Sequence, residues 1–278
     1  MTKKKPARSR NPLNMRQLEK GGPFVLSPMP CSSRRREYFQ RANRILGAYA
    51  TITAYSGKGQ EAVENAAAAN QINDDTPIRF GMGEHTIQTS YRRIRAAFSK
   101  AGGQLTNQVF LYVYGNFEAF LTDLCHDALL ALGSAEPLQE ATSLTVMTRW
   151  RGKLDRINEK FGLGLGKRRY VAAYQQLDMG FLGRATTDPI EFLQAMAEFR
   201  HRLVHSAGRA DAKLLSEYPQ SGLKAGEVIE LPFGLPFGIH FFFVPLTDLI
   251  DGAFATKFGW QRPLTAVEEL VDANFPFE

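Results

Sequence analysis

The sequence predicts a mainly α-helical bundle with one small β-hairpin near the C-terminus. The chain has 278 residues, of which 44% are hydrophobic, and it is therefore long enough to bury a substantial core. Between residues 34 and 260, apolar residues recur mostly at steps of three and four, which is typical of amphipathic helices. Only residues 227–244 combine β-branched and aromatic residues with Pro-Gly turn signals.

Four regions follow from the local patterns. Residues 1–33 are rich in Pro, Gly and Ser and lack periodicity, which predicts a flexible arm. Residues 34–85 are predicted to form an N-terminal helical extension, a helical hairpin interrupted at Gly57–Gly59. Residues 86–260 are predicted to form the main helical domain, and residues 261–278 a C-terminal tail.

The main domain is predicted to contain a long core helix and several shorter ones. A first helix ends at Gly102–Gly103, and the next has the strongest apolar repeat of the chain. A later helix begins at Pro189, which suits a first helical position, and stops at Gly208. The remaining predicted elements are helices within LTVMTRWRGKLDRINEKFG, KRRYVAAYQQLD and AKLLSEY, the hairpin EVIELPFGLPFGIHFFFV, and a last helix in PLTDLIDGAFATKFG.

Positive charge is concentrated at the N-terminus. Residues 1–44 hold 12 lysines and arginines against two acids, whereas the whole chain has a net charge of +6, so the rest carries about −4. A basic arm on such a body is expected to attract phosphate backbones through charge. A solubilising tail would have the same composition.

Cysteine usage and hydropathy indicate the compartment. Cys31 and Cys125 lie far apart and form no CxxC pair, so neither a disulfide framework nor a zinc module is indicated. No apolar run of signal-peptide length follows the N-terminus, and the longest run, IHFFFVPL, is far shorter than the roughly 18 residues of a membrane helix. We therefore expect a cytoplasmic protein that binds no membrane.

Two patterns that would indicate a cofactor or a metal fail on inspection. The run GLGLGKRR does not have the glycine spacing of a phosphate loop, and its lysine is followed by arginine where a phosphate loop has Ser or Thr. The pattern instead predicts a loop that ends a helix. His201 and His205 have the spacing of two zinc ligands on a helix, but Arg202 stands where a zincin has Glu, and no third ligand is recognisable. No metal and no cofactor are expected.

The stretch EFRHRLVHSAGRAD, residues 198–211, carries the candidate chemistry. Cleaving RNA without a metal needs a base for the 2′-hydroxyl proton, an acid for the leaving oxygen, and a cation for the transition-state charge. Histidine performs either proton transfer near neutral pH, and arginine presents a planar fork to phosphate oxygens. Arg200 and His205, near the end of an amphipathic helix, supply these two residue types.

The same stretch resembles the signature of the HEPN family, which contains helical ribonucleases and nucleotide-binding domains. In RHRLVH an arginine is followed by a polar residue, three further residues and a histidine, and SAGRAD resembles the usual continuation. NFEAFLTDL resembles the family's long first core helix, and the closer similarity, over roughly residues 86–260, is to RiboL-PSP-type HEPN proteins. The resemblance implies a HEPN-type bundle and a catalytic site composed across a homodimer.

The resemblance, together with the residue types, gives six candidate site residues. Arg200 and His205 would be catalytic, and Glu118 would hold the Arg200 guanidinium, unless it is an exposed helix carboxylate. His201 would orient Arg200 or line the cleft, or would simply be solvated. Arg202 and Arg209 are candidates for contact with the RNA backbone, and a solvated helix face is the alternative for both.

These features lead to one functional hypothesis and two alternatives. The first is a metal-independent endoribonuclease that acts as a homodimer on RNA, with an antitoxin or sensor protein as a further partner. The second is a non-catalytic HEPN-like module that binds RNA, a nucleotide or a protein. The third is a helical interaction protein without a nucleic-acid role.

Overall fold

A computed structural model shows a helical bundle and confirms the predicted mainly α fold. It describes residues 28–82, 85–146, 149–166, 169–170, 188–218 and 222–270. Within these residues there are seven helices, namely α1 (Ser33–Ala69), α2 (Tyr91–Ala131), α3 (Pro137–Thr145), α4 (Trp150–Phe161), α5 (Pro189–His205), α6 (Ala212–Glu217) and α7 (Leu235–Phe258). Four strands accompany them, namely β1 (Met29–Pro30), β2 (Pro77–Met82), β3 (His85–Ser90) and β4 (Leu264–Thr265).

The strands form two small antiparallel sheets. β1 pairs with β4, with Met29 opposite Thr265, so a small sheet does lie near the C-terminus. β2 pairs with β3 in a hairpin, with Pro77 opposite Ser90. The hairpin includes most of TPIRFGMGEHT, residues 76–86, which is interrupted by glycines and non-periodic, a pattern that predicts a loop or a short extended piece.

α1 and α2 pack together and build the centre of the core. Ser32 caps α1 by accepting a hydrogen bond from the Arg35 N–H at 3.2 Å. Both helices continue through the glycine pairs at Gly57–Gly59 and Gly102–Gly103, where breaks are predicted. A helical glycine costs only about 1 kcal/mol and keeps the backbone hydrogen bonds, so the good helix formers around it decide the outcome. The first part of α1 shares the core of the main bundle, through Tyr38, Phe39, Leu46 and Tyr49.

The predicted C-terminal hairpin at residues 227–244 is wrong, because residues from Leu235 onward form the single long helix α7. α7 is buried on most sides, so its sequence has no polar face and no helical period, and its aromatic run resembles a strand. The first part of the segment is extended. Val228 forms a β-bridge with Arg209, and the Ile229 N–H donates to the Gly208 carbonyl at 2.7 Å.

α7 is the only helix among the described residues whose length and apolarity would suffice to cross a membrane. In the structure, 56% of its most apolar 18-residue window is buried inside the bundle. The core helix of a soluble protein meets the same criterion, so this is weak evidence. The expectation that the chain binds no membrane stays a prediction.

The end of the predicted arm belongs to the folded body. Asp251, which is fully buried, accepts hydrogen bonds from the Ser32 backbone N–H at 3.2 Å and from Arg262 Nε at 2.7 Å. The buried Arg35 guanidinium contacts Asp248 at 2.6 Å. Residues 28–33 are thereby fixed to α7 and to the segment that precedes β4, whereas the rest of the arm lies outside the described residues.

The region before α5 is only partly described. α4 ends at Gly162, which adopts a left-handed conformation with φ of +61°, as expected for a glycine that terminates a helix. The predicted helix KRRYVAAYQQLD lies mostly outside the described residues, since only residues 169–170 of it are described.

Candidate functional site

α5 holds the arginine–histidine motif on a firmly anchored helix. Its N-cap, Asp188, accepts a hydrogen bond from the Ile190 N–H at 3.0 Å, and Pro189 occupies the first turn as predicted. Each fully buried large apolar side chain contributes roughly 1.5–3 kcal/mol, and α5 buries five, namely Ile190, Phe192, Leu193, Met196 and Phe199.

α5 ends at His205, directly before a tight reversal of the chain. Gly208 has a φ of +70°, and its N–H donates to the Arg202 carbonyl at 3.1 Å, so the predicted glycine stop is confirmed. The chain then pairs with the extended segment around Val228. The motif therefore lies at a fixed helix end.

One side of this helix end faces solvent. Arg200 is half-exposed, His201 and His205 are exposed, and Val204 between them is 50% exposed. The rings of His201 and His205, one turn apart, have centroids 4.7 Å from each other. Residues four apart are neighbours on a helix, so Arg200 lies beside Val204 and His201 beside His205. The two pairs are adjacent and together form one broad solvent-facing stripe, which spans about 140° of the helix circumference.

Glu118 of α2 contacts Arg200, in agreement with the pairing expected from the sequence. Its Oε2 lies 3.4 Å from Arg200 Nη2. Its other oxygen, Oε1, lies 3.4 Å from Nζ of Lys153 on α4. One carboxylate therefore bridges two cations from two different helices.

Lys153 is a site residue that the sequence prediction missed. Its side chain is only 3% exposed, and its Nζ lies 3.9 Å from the centroid of the Trp150 ring. Burial lowers the pKa of Lys153, and the charge of Glu118 acts in the opposite direction. The signal available in the sequence is that Lys153 lies on the same helix face as Trp150 and Ile157, which places a charge among apolar positions.

Arg202 does not have the position that the sequence suggests. It is 2% exposed, and its guanidinium pairs with Glu198 and, at 3.1 Å, with Asp211. Asp211 also caps α6 by accepting from the Leu214 N–H at 2.7 Å, and this bond together with Arg202 lowers the pKa of its carboxyl. Arg202 therefore fastens α5 to the start of α6, and neither RNA contact nor a solvated face describes it.

Arg209 keeps the exposed position expected of it. Its Nη1 donates a hydrogen bond to the Gly226 carbonyl at 2.7 Å. This bond uses one of several guanidinium donors, so the side chain retains donors that reach solvent. Its role as an RNA contact stays a prediction.

A pocket of about 690 Å³ lies beside the solvent-facing stripe. Its walls come from α2, α3, α4 and α5, together with the segment around Asp211. Arg200, His201, Glu118 and Lys153 line it, whereas His205 lies one turn beyond His201 and is not part of its lining. His201 thus connects the pocket with His205.

Neither a metal-ligand cluster among the described residues nor a related protein indicates the function of this site. Within the described part of the chain, no group of three or more His, Cys, Asp or Glu side chains could hold a metal ion. Comparison of the chain with family models, with curated proteins and with solved structures found no match.

Proposed function

We propose that this chain is a metal-independent endoribonuclease whose active site is composed of residues from two copies of α5. The observation that carries the proposal is that Arg200, His201 and His205 share one solvent-facing stripe of α5, while the opposite side of the helix is fixed in the core. The sequence resemblance to HEPN ribonucleases supports the same assignment.

The proposed reaction divides into two proton transfers and one displacement. A histidine takes the proton of the RNA 2′-hydroxyl, and the 2′-oxygen attacks the adjacent phosphorus. The bond from phosphorus to the 5′-oxygen breaks, and that oxygen receives a proton from a second histidine. The 5′ fragment then ends in a 2′,3′-cyclic phosphate, and Arg200 stabilises the charge that develops on the phosphate oxygens.

The proposal assigns proton transfer to His205 and an orienting role to His201, so the second proton transfer is made by His205 of a second copy. Val204, a large apolar residue that is 50% exposed between the polar members of the stripe, gives this surface an apolar centre. Helices that pair side by side bury such a residue. We therefore propose a homodimer in which the two stripes face each other across one RNA groove.

A non-catalytic binding module is the second candidate. It is favoured by the pocket, which brings Arg200 together with Lys153 but does not include His205. Such a site has the cations for holding a phosphate, whereas His205, to which the first proposal assigns proton transfer, lies outside its walls. The cytoplasmic location and an antitoxin or sensor partner remain proposals attached to both candidates.

The test is cleavage of single-stranded RNA by the purified full chain in EDTA. We expect fragments whose 3′ ends carry a cyclic phosphate, identified by mass spectrometry, and no cleavage where the 2′-hydroxyl is methylated. His205→Ala should lower the rate by about 10²- to 10⁴-fold with much of the binding retained. Arg200→Ala should weaken both binding and cleavage, because the guanidinium also holds the ground-state phosphate.

Two further variants complete the design. Arg92→Ala, which removes an exposed arginine paired with Asp75 near the β2–β3 hairpin, is the matched control and should cleave like the parent. His201→Ala should have a smaller effect than His205→Ala. Activity that EDTA abolishes, or full activity of His205→Ala, contradicts the mechanism, and RNA binding without any cleavage favours the non-catalytic module.

A further inference from the structure

The pocket beside the proposed active site contains a cationic cluster with an unusual charge balance. Lys153 and Arg200 approach the Glu118 carboxylate from two helices, each at 3.4 Å. Two positive charges therefore share one negative charge. Lys153 is almost fully buried, and a buried cation is costly unless it is well paired.

The distances show that neither cation is tightly paired. Charge-assisted hydrogen bonds of nitrogen to a carboxylate are usually about 2.7–2.9 Å long, and both contacts of Glu118 exceed this range. A phosphate group carries more acceptor oxygens than a carboxylate and can bind a guanidinium fork and an ammonium together. The cluster thus offers more positive charge, and more donors, than Glu118 satisfies.

A second group in the same pocket contains two carboxylates. Arg202 is shared between Glu198 and Asp211, and Lys213, which also lines the pocket, pairs with Glu217 at 3.9 Å. These carboxylates repel a second phosphate but accept hydrogen bonds from hydroxyl and amino groups. A ligand with one phosphate and several neutral donors, such as a nucleotide unit, matches both groups.

From these charges we infer that Lys153 and Arg200 form a phosphate-binding subsite for one nucleotide unit, and that Glu118 occupies it while no phosphate is bound. The inference deepens the proposed function and rests on it where RNA is taken as the ligand. In that case the subsite holds the phosphate that is cleaved, and Lys153 is a second cation on the phosphate that Arg200 contacts. The pocket volume of about 690 Å³ accommodates a unit of this size.

The experiment measures the affinity of the full chain for two probes by calorimetry. One is an RNA oligonucleotide with 2′-O-methyl groups, which cannot be cleaved by attack of the 2′-oxygen, and the other is adenosine monophosphate. Lys153→Met should weaken binding at least tenfold, since a hydrogen bond to a charged group contributes about 1.5–3 kcal/mol. It should also make the slope of log K against log salt concentration for oligonucleotide binding less steep by about 0.7.

Glu118→Gln provides the decisive contrast. It removes the competing negative charge at the same side-chain size, so we expect affinity to rise by about threefold or more. If Glu118 only supports the fold, this variant weakens binding or leaves it unchanged. Because Glu118 is partly exposed, this variant keeps the inference testable even if Lys153→Met fails to fold.

Lys160→Met is the matched control, since Lys160 lies on the same helix, is partly exposed, and pairs with Glu140 outside the pocket. It should bind both probes like the parent chain. Unchanged binding by a folded Lys153→Met protein, or weaker binding by Glu118→Gln, overturns the inference.

The two probes separate the sources of the phosphate. If Lys153→Met weakens binding of the oligonucleotide, the subsite belongs to RNA. If it weakens binding of adenosine monophosphate and leaves oligonucleotide binding unchanged, the subsite belongs to a free nucleotide. Failure of the inference is distinguishable from failure of the proposed function, because cleavage is measured separately with His205→Ala. Lysine-dependent nucleotide binding without cleavage would support the subsite and contradict the nuclease.

Discussion

The buried histidine of α7 makes stability depend on pH in a way that can be worked out from its surroundings. His240 is fully buried among Tyr38, Phe39 and Phe241, and its Nε2 has no hydrogen-bond partner among the described residues. Its Nδ1 lies 3.4 Å from the Tyr38 hydroxyl. Burial lowers the pKa of His240 to about 3, because a charged imidazole would lose its hydration without gaining a partner.

The lowered pKa of His240 determines both the sign and the size of the change in the free energy of unfolding with pH. Between pH 6.5, near the pKa of an unfolded histidine, and pH 3, the unfolded chain binds a proton that the folded chain does not. Acid therefore favours unfolding, and the stability that neutral His240 provides is lost as pH falls below 6.5. At pH 5 the loss relative to pH 7 is about 2 kcal/mol.

The assay is urea unfolding of the parent chain and of His240→Leu at pH 7 and pH 5. Every other titrating group contributes equally to both proteins, so the difference between their pH dependences isolates His240. Between pH 7 and pH 5 the free energy of unfolding of His240→Leu should fall by about 2 kcal/mol less than that of the parent chain. His205→Gln, which removes an exposed histidine, is the control and should follow the parent. Equal losses in the parent and in His240→Leu would refute the reasoning.

Two further predictions concern assembly and the N-terminal arm. Val204→Glu places a charge at the apolar centre of the α5 stripe and should convert the proposed dimer to a monomer, as measured by light scattering. Val228→Glu, which changes another exposed valine, is the control. A dimer that survives Val204→Glu contradicts the face-to-face arrangement. Deleting residues 1–27 should leave the melting temperature unchanged and weaken the salt dependence of RNA binding. Deleting residues 1–33 should have the same effect on RNA binding and should also destabilise the fold, because it removes the Ser32 contacts of Asp251. An equal melting temperature for the two deletions would contradict the second expectation.

The sequence predicts an element well when its signals are local. α5 is the clearest case, because the Asp188 cap, Pro189 and the apolar repeat all lie within the helix, and its glycine stop follows within three residues. α7 is the opposite case. Whether its aromatic run is a strand or a helix depends on burial on nearly all sides, and that is decided by the packing of α1 and α2 around it.

The same distinction applies to the site. The contact of Glu118 with Arg200 is expected from the family resemblance, which places an acidic residue of the core helix beside the motif, and the structure contains it. Lys153 joins them only through the tertiary fold, since its contact with Glu118 spans 35 positions. Arg202 and Arg200 are two residues apart and chemically identical, yet one is an internal ion-pair partner and the other faces solvent. Helix geometry alone separates them by about 200°, and only the position of α6 decides which points inward.

The contact of Ser32 with Asp251 also has a consequence for the order of events during synthesis. The two residues are 219 positions apart, so the N-terminal segment leaves the ribosome long before its partner carboxylate exists. At about 5–20 residues per second the interval is roughly 10 to 40 s. Cys31, which is fully buried in the finished fold, donates its N–H to the Pro263 carbonyl at 3.1 Å, so its burial also waits for the C-terminal part of the chain. A reducing compartment is the environment in which such a delay leaves the thiol intact.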